Sequence, residues 1–123
     1  MAKVLVVDDS EMQRNNIRDI IVQRGHEVIT AANGQEGIEK YQANTINLVL
    51  ADHNMPILTG LEMCKEIHSI ANGSPPPIIM ITTEVGDEEI KAQAKQYGVK
   101  AWLVKPYKNE AIDLILKKLL ASQ

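Results

Sequence analysis

A chain of 123 residues, 45% of them hydrophobic, with formal net charge -3, fits a single domain over residues 1–123 that has apolar content for its own core and no room for a second. The mild acidity excludes a general electrostatic grip on nucleic acid, which needs clustered Lys and Arg. Cys64 is the only cysteine, which excludes an internal disulfide, and no apolar segment is long enough to span a bilayer. The start Met-Ala-Lys leads straight into a strand-like run instead of a secretory signal, so the expected location is the cytoplasm.

Lys3 to Val7 is an apolar run after one Lys and ends at Asp8-Asp9-Ser10, a first strand delivering two acids. Ser10 with Gln13 matches a capping box, and Ile17, Ile20 and Ile21 recur at helical spacing, so a first helix is predicted from Glu11 to Arg24 with Gly25 closing it. Glu27 to Ala31, short and partly β-branched, reads as a second strand near an edge of the sheet. Asn33 followed by Glu36 opens a second helix, with Ile38 and Tyr41 inward and an end near Ala43-Asn44. Leu48 to Ala51 is a third strand buried on both faces, and Asp52 is placed as the first residue beyond it. Asn54, Pro56 and Gly60 mark the loop that follows, and His53 in that loop is expected to be exposed.

Thr59 and Glu62 repeat the capping pattern, with Leu61, Cys64, Ile67 and Ala71 forming the apolar stripe of a third helix that Asn72-Gly73 stops. Cys64 reads as a small buried hydrophobe. Pro75 to Pro77 form an extended connector, and Ile78 to Ile81 make a fourth strand ending at Thr82-Thr83-Glu84. A fourth helix runs from Asp87 to Gly98, a short fifth strand covers Ala101 to Val104 before Lys105-Pro106, and Asn109 to Leu120 is an amphipathic last helix. Strands alternating with helices over short connections are an α/β chain of the (βα)5 kind, with a parallel sheet and helices on both faces.

In a parallel sheet every strand's C-terminal end lies on one edge, so Asp8, Asp9, Asp52, Thr82 and Lys105 share it. Adjacent strands are about 4.8 Å apart, and like charges at about 4 Å cost roughly 4 kcal/mol at an effective dielectric of 20. Three converging carboxylates therefore need raised pKa values or a cation. Mg²⁺ suits an oxygen-only set, whereas His26, His53 and His68 lack the paired spacing of a zinc site. With a phosphoryl donor, an ionised Asp52 is a ready nucleophile that becomes an acyl phosphate. Lys105 then supplies a point charge to a phosphoryl oxygen and Thr82 a hydroxyl hydrogen bond.

The segments Val6-Val7-Asp8-Asp9-Ser10, Asp52-x-x-Met55-Pro56-x-x-x-Gly60, Ile81-Thr82-Thr83-Glu84 and Trp102-Leu103-Val104-Lys105-Pro106 stand in order on five βα units. In these the chain resembles the CheY-like receiver domains of two-component response regulators over essentially its whole length. The resemblance implies a flavodoxin-like three-layer sandwich with a five-stranded sheet in the order 2-1-3-4-5. It also implies phosphotransfer from a sensor histidine kinase to Asp52 and a cis Lys105-Pro106 bond. Mg²⁺ would be held by Asp8, Asp9, Asp52 and the backbone carbonyl of Asn54. Thr82 and Trp102 would form the switch, with Trp102 where the family usually has Tyr or Phe and Thr83 where it usually has Ala or Gly. Asn54 and Glu84 would tune dephosphorylation.

The expected role is a stand-alone, monomeric signalling switch, not a metabolic enzyme. Phosphorylation would change a face made by the fourth helix, fifth strand and fifth helix, and output would pass to a flagellar motor switch protein or a histidine phosphotransfer protein, with no direct nucleic-acid or membrane partner. The alternatives are a phosphorelay intermediate and the receiver portion of a longer regulator, a DNA-binding one included. A haloacid-dehalogenase-type phosphatase expects Asp-x-Asp on the first strand, which Asp8-Asp9 lacks. A flavodoxin expects a Ser/Thr/Gly-rich phosphate loop where this chain has acids.

Overall fold

The structure, a computed structural model, describes residues 2–55, 57–83 and 88–120. Strands and helices alternate as β1 (Lys3–Val7), α1 (Glu11–Gln23), β2 (Glu27–Ala31), α2 (Gly34–Ala43), β3 (Leu48–Asp52), α3 (Gly60–Ile70), β4 (Ile78–Thr82), α4 (Glu88–Gln96), β5 (Val99–Val104) and α5 (Asn109–Leu120). All pairings are parallel and the sheet order is β2-β1-β3-β4-β5, the flavodoxin-like arrangement expected from the resemblance. β2 lies on an edge and is only partly buried, while β3 and β4 are buried throughout.

Alternate residues of each central strand feed two aliphatic cores, as the period of a strand requires. Val7, Val49, Ala51, Ile78 and Met80 pack with Ile38 of α2, Met63, Cys64 and Ile67 of α3, and Ala94 of α4. On the opposite face Val4, Val6, Leu48, Leu50, Ile79 and Ile81 pack with Ile17 and Ile21 of α1 and Ile112, Leu116 and Leu120 of α5. Cys64 is fully buried, and burial raises its thiol to about 12. No described helix is long and apolar enough to cross a membrane.

Local chemistry adjusts several of the expected boundaries. β3 runs through Asp52, so the acid is the strand's last residue, not the first beyond it. β5 starts at Val99, two residues early, after a register irregularity opposite Ile78 and Ile79. α1 ends at Gln23 with Arg24 as its C-cap. Thr59 and Glu62 form both halves of a capping box. Ser10 forms only the first half: its Oγ accepts from Gln13 N at 3.3 Å, but its own N–H donates to Asp8 Oδ1 at 2.9 Å. The expected start of α4 at Asp87 lies outside the described residues, and its end comes at Gln96, not Gly98, which has φ +100°. The Lys105-Pro106 bond is cis.

Candidate functional site

Register brings the acids together. Val7 pairs with Ala51, so the residues that follow, Asp8 and Asp52, emerge side by side from β1 and β3. Thr82 pairs with Val104, and Lys105 N donates to Thr82 O at 2.8 Å, which carries the lysine to the same edge. Lys105 Nζ then lies 3.3 Å from Asp52 Oδ2 and 3.5 Å from Asp8 Oδ2. One oxygen from each of Asp8, Asp9 and Asp52 lies within 4.8 Å of the others. Asp8 and Asp52 are buried and Asp9 is exposed, so the cluster opens to solvent on one side. An oxygen-only donor set of this kind is consistent with Mg²⁺.

Two acids in so small a space carry an electrostatic cost. Burial, aided by the Asp52 charge, raises the Asp8 carboxyl above its ordinary value, against the Ser10 N–H and Lys105, which favour the ionised form. Tyr107 stands half-buried nearby, and burial together with the charges of Asp8 and Asp52 raises its phenol to about 12, so it is a neutral hydroxyl at physiological pH. Arg14 on α1 donates to the Asp8 carbonyl oxygen at 2.7 Å and steadies the backbone at the end of β1.

On the β4 side, Asp52 Oδ1 accepts from Asn54 N at 3.0 Å. The Asn54 Nδ2 amide lies 3.4 Å from the hydroxyls of both Thr82 and Thr83. Thr83 therefore presents its hydroxyl to the Asn54 amide, which its place in the motif did not suggest. His53 corrects an expectation: it is half-buried, its Nδ1 is fully enclosed, and its ring meets Trp102 edge-on. Trp102 is itself half-buried and packs on the α2–α4 face core. Glu84, expected to tune the site, lies outside the described residues. Arg14 and Tyr107 carry no motif signal, since each reaches the acids only through the packing of α1 and the loop after β5.

Five parallel βα units with three acids and a lysine at one sheet edge define a recognisable architecture, and the sequence model described as the response regulator receiver domain matches residues 4–117. The chain belongs to this receiver family. It is 38% identical to chemotaxis protein CheY1 of Helicobacter pylori over 98% of both chains, and 33% identical to chemotaxis protein CheY of Bacillus subtilis over 96% of this chain and 97% of the other. The crystal structure of chemotaxis protein CheY4 of Vibrio cholerae superposes with TM-score 0.88 at 38% identity, covering 97% of this receiver domain and 98% of that chain. Sequence and fold therefore agree on a CheY-like receiver.

Proposed function

We propose that this receiver domain accepts a phosphoryl group from the phosphohistidine of a sensor histidine kinase on Asp52, as a two-component signalling switch of the chemotaxis type. The observation that carries the reading is the placement of Asp52: buried at the end of a central strand, within 3.3 Å of the Lys105 ammonium and beside Asp8 and Asp9. A carboxylate oxygen of Asp52 attacks phosphorus, the P–N bond to the donor imidazole breaks as the P–O bond of an acyl phosphate forms, and the released imidazole takes its proton from solvent. Asp8, Asp9, Asp52 and the Asn54 carbonyl would hold Mg²⁺, which supplies positive charge to offset that of the acids and the phosphoryl oxygens.

This chain's residues do the positioning. Asn54 N fixes one oxygen of Asp52 and Lys105 the other, so the carboxylate is oriented before the donor arrives. Lys105 is placed to bond a phosphoryl oxygen once Asp52 is esterified, and Thr82 to donate its hydroxyl. The likeness to chemotaxis CheY proteins at 33–38% identity supports output by binding a flagellar motor switch protein, without turnover of a metabolite. The groove between α4 and β5, lined by Lys91, Lys95, Val99, Lys100 and Trp102, suits an acidic partner segment. Asn54, with Glu84, is the residue assigned to tuning the phosphoryl lifetime. Incubation with acetyl phosphate and Mg²⁺ is expected to add one phosphoryl mass to the wild type and none to Asp52→Asn or to an EDTA-treated sample. An adduct that persists in Asp52→Asn would refute the assignment.

A further inference from the structure

His53 lies just outside the acidic cluster, and its backbone continues the hydrogen bonding of β3 one residue past the strand's end at Asp52. Its N–H donates to Ile81 O at 2.8 Å, and its carbonyl accepts from Gly60 N at 3.1 Å. Those bonds tie it to β4 and to the first residue of α3. Its side chain falls on the α2–α4 face of the sheet with Ala51 and Met80, and there the ring meets Trp102 with centroids 5.8 Å apart and planes at 73°. Nδ1 is buried and has no hydrogen-bond partner among the described residues. The imidazole is therefore held by its backbone and by its contact with the Trp102 ring, and its Nδ1 supplies no polar anchor among the described residues. Trp102 in turn lines the groove with Lys91, Lys95 and Lys100. A contiguous series of contacts runs from Asp52 through His53 and Trp102 to that groove.

We propose that His53 is a positioning residue for Trp102, transmitting the state of Asp52 to the groove between α4 and β5. The proposal rests on the phosphoacceptor reading of Asp52. Adding a phosphoryl group to the residue immediately before His53 shifts the end of β3, and the ring, whose buried Nδ1 has no hydrogen bond among the described residues, follows its backbone. A buried nitrogen without a partner also disfavours the present arrangement against any that supplies one, so the ring pair is not locked in place. Trp102 responds because its ring packs against the imidazole in a T-shaped pair.

The chain has one tryptophan, so its emission reports Trp102 alone. The experiment compares the 123-residue wild type, His53→Ala, His53→Leu and His53→Phe with Mg²⁺, before and after beryllofluoride, reading Trp emission and acrylamide quenching. Acetyl phosphate adduct yield by mass is measured in parallel. The wild type is expected to change its quenching constant on beryllofluoride addition. His53→Ala and His53→Leu, which lack a ring, are expected to lose at least half of that change at unaltered adduct yield, and His53→Phe, which restores the ring edge, to regain it. The leucine variant fills the site and keeps the comparison valid where the alanine variant is unfolded. Ringless variants that respond like the wild type at equal adduct yield overturn the coupling alone. Absence of an adduct on the wild type overturns the phosphoacceptor reading and this proposal with it.

Discussion

The Lys105 ammonium bridges two carboxylates that belong to different strands, 3.3 Å from Asp52 Oδ2 and 3.5 Å from Asp8 Oδ2. A shared cation at this distance offsets the repulsion that the register of β1 and β3 creates between the two acids. Lys105→Met removes the charge while keeping most of the apolar stem. The variant is expected to lose about 2 kcal/mol of stability at neutral pH, since two buried acids are left uncompensated. Millimolar Mg²⁺ is expected to restore part of the loss in denaturant melts by supplying the missing positive charge. The rate of adduct formation with acetyl phosphate is expected to fall about 10²-fold, the usual cost of removing one preorganised donor to developing charge. A variant as stable as the wild type without Mg²⁺ would show that Lys105 does not compensate the acids.

Asp8 gives a pH prediction. Burial is the main cause of its raised carboxyl, so the folded state holds this proton more tightly than the unfolded state does. Stability from this group is therefore fully present below the unfolded carboxyl value and is lost as pH rises through the raised folded value. Asp8→Asn keeps an acceptor for Ser10 N and removes the charge. It is expected to be more stable than the wild type by about 1 kcal/mol at neutral pH, with the gain shrinking toward acid pH. Mg²⁺ reverses the order, because the wild type gains RT ln(1 + [L]/Kd), about 1.4 kcal/mol at ten times Kd, and the variant gains less. Thermal midpoints across pH, with and without Mg²⁺, test both signs.

The fold was legible because two periods alternate along the chain, and the acidic site because a parallel sheet carries Asp8, Asp52 and Lys105 to one edge whatever the loops do. What escaped the sequence depends on packing between distant elements. His53 was expected at the surface as part of the loop after Asp52, whereas alternation from Ala51 puts it over the α2–α4 face against Trp102. Thr83 was legible as extra volume but not as a hydroxyl shared with Thr82 by the Asn54 amide. Ser10 was expected to complete a capping box, but Asp8 competes for its N–H and wins. Tyr107 and Arg14 reach the acids from a loop and a helix whose sequences carry no trace of that destination.

Ile57, in the loop that follows Asp52, has φ +73° and is 80% exposed. A β-branched side chain in the left-handed region costs roughly 1–2 kcal/mol, and an exposed isoleucine returns little of that through packing. Ile57→Asn, which tolerates this backbone conformation, is expected to stabilise the protein by about 1 kcal/mol. Ile57→Gly is expected to gain less, because glycine also enlarges the unfolded ensemble. Chemical denaturation of the three proteins tests the order, and an asparagine variant weaker than the wild type would show that Ile57 makes a contact worth more than its strain.

Gly60 joins the fold to the site. A Cβ there would lie 2.8 Å from Asp52 O, 2.8 Å from His53 Cα and 2.7 Å from Met80 Sδ. Met80 has a flexible side chain that can yield, but the other two contacts are with the backbone at the end of β3, so Gly60→Ala must push α3 away from the sheet. The expected cost is about 3 kcal/mol, the upper range for overpacking. Because Gly60 N donates to His53 O at 3.1 Å, the displacement passes directly to the residue beside Asp52. Adduct yield with acetyl phosphate is expected to fall with stability. Gly25→Ala separates the two effects: Gly25 has φ +87° but nothing within 4 Å of a Cβ, so the substitution strains only its own backbone. It is expected to cost about 1 kcal/mol and leave the adduct yield unchanged. If both glycine variants phosphorylate like the wild type, the close approach of α3 to β3 does not control the geometry of Asp52.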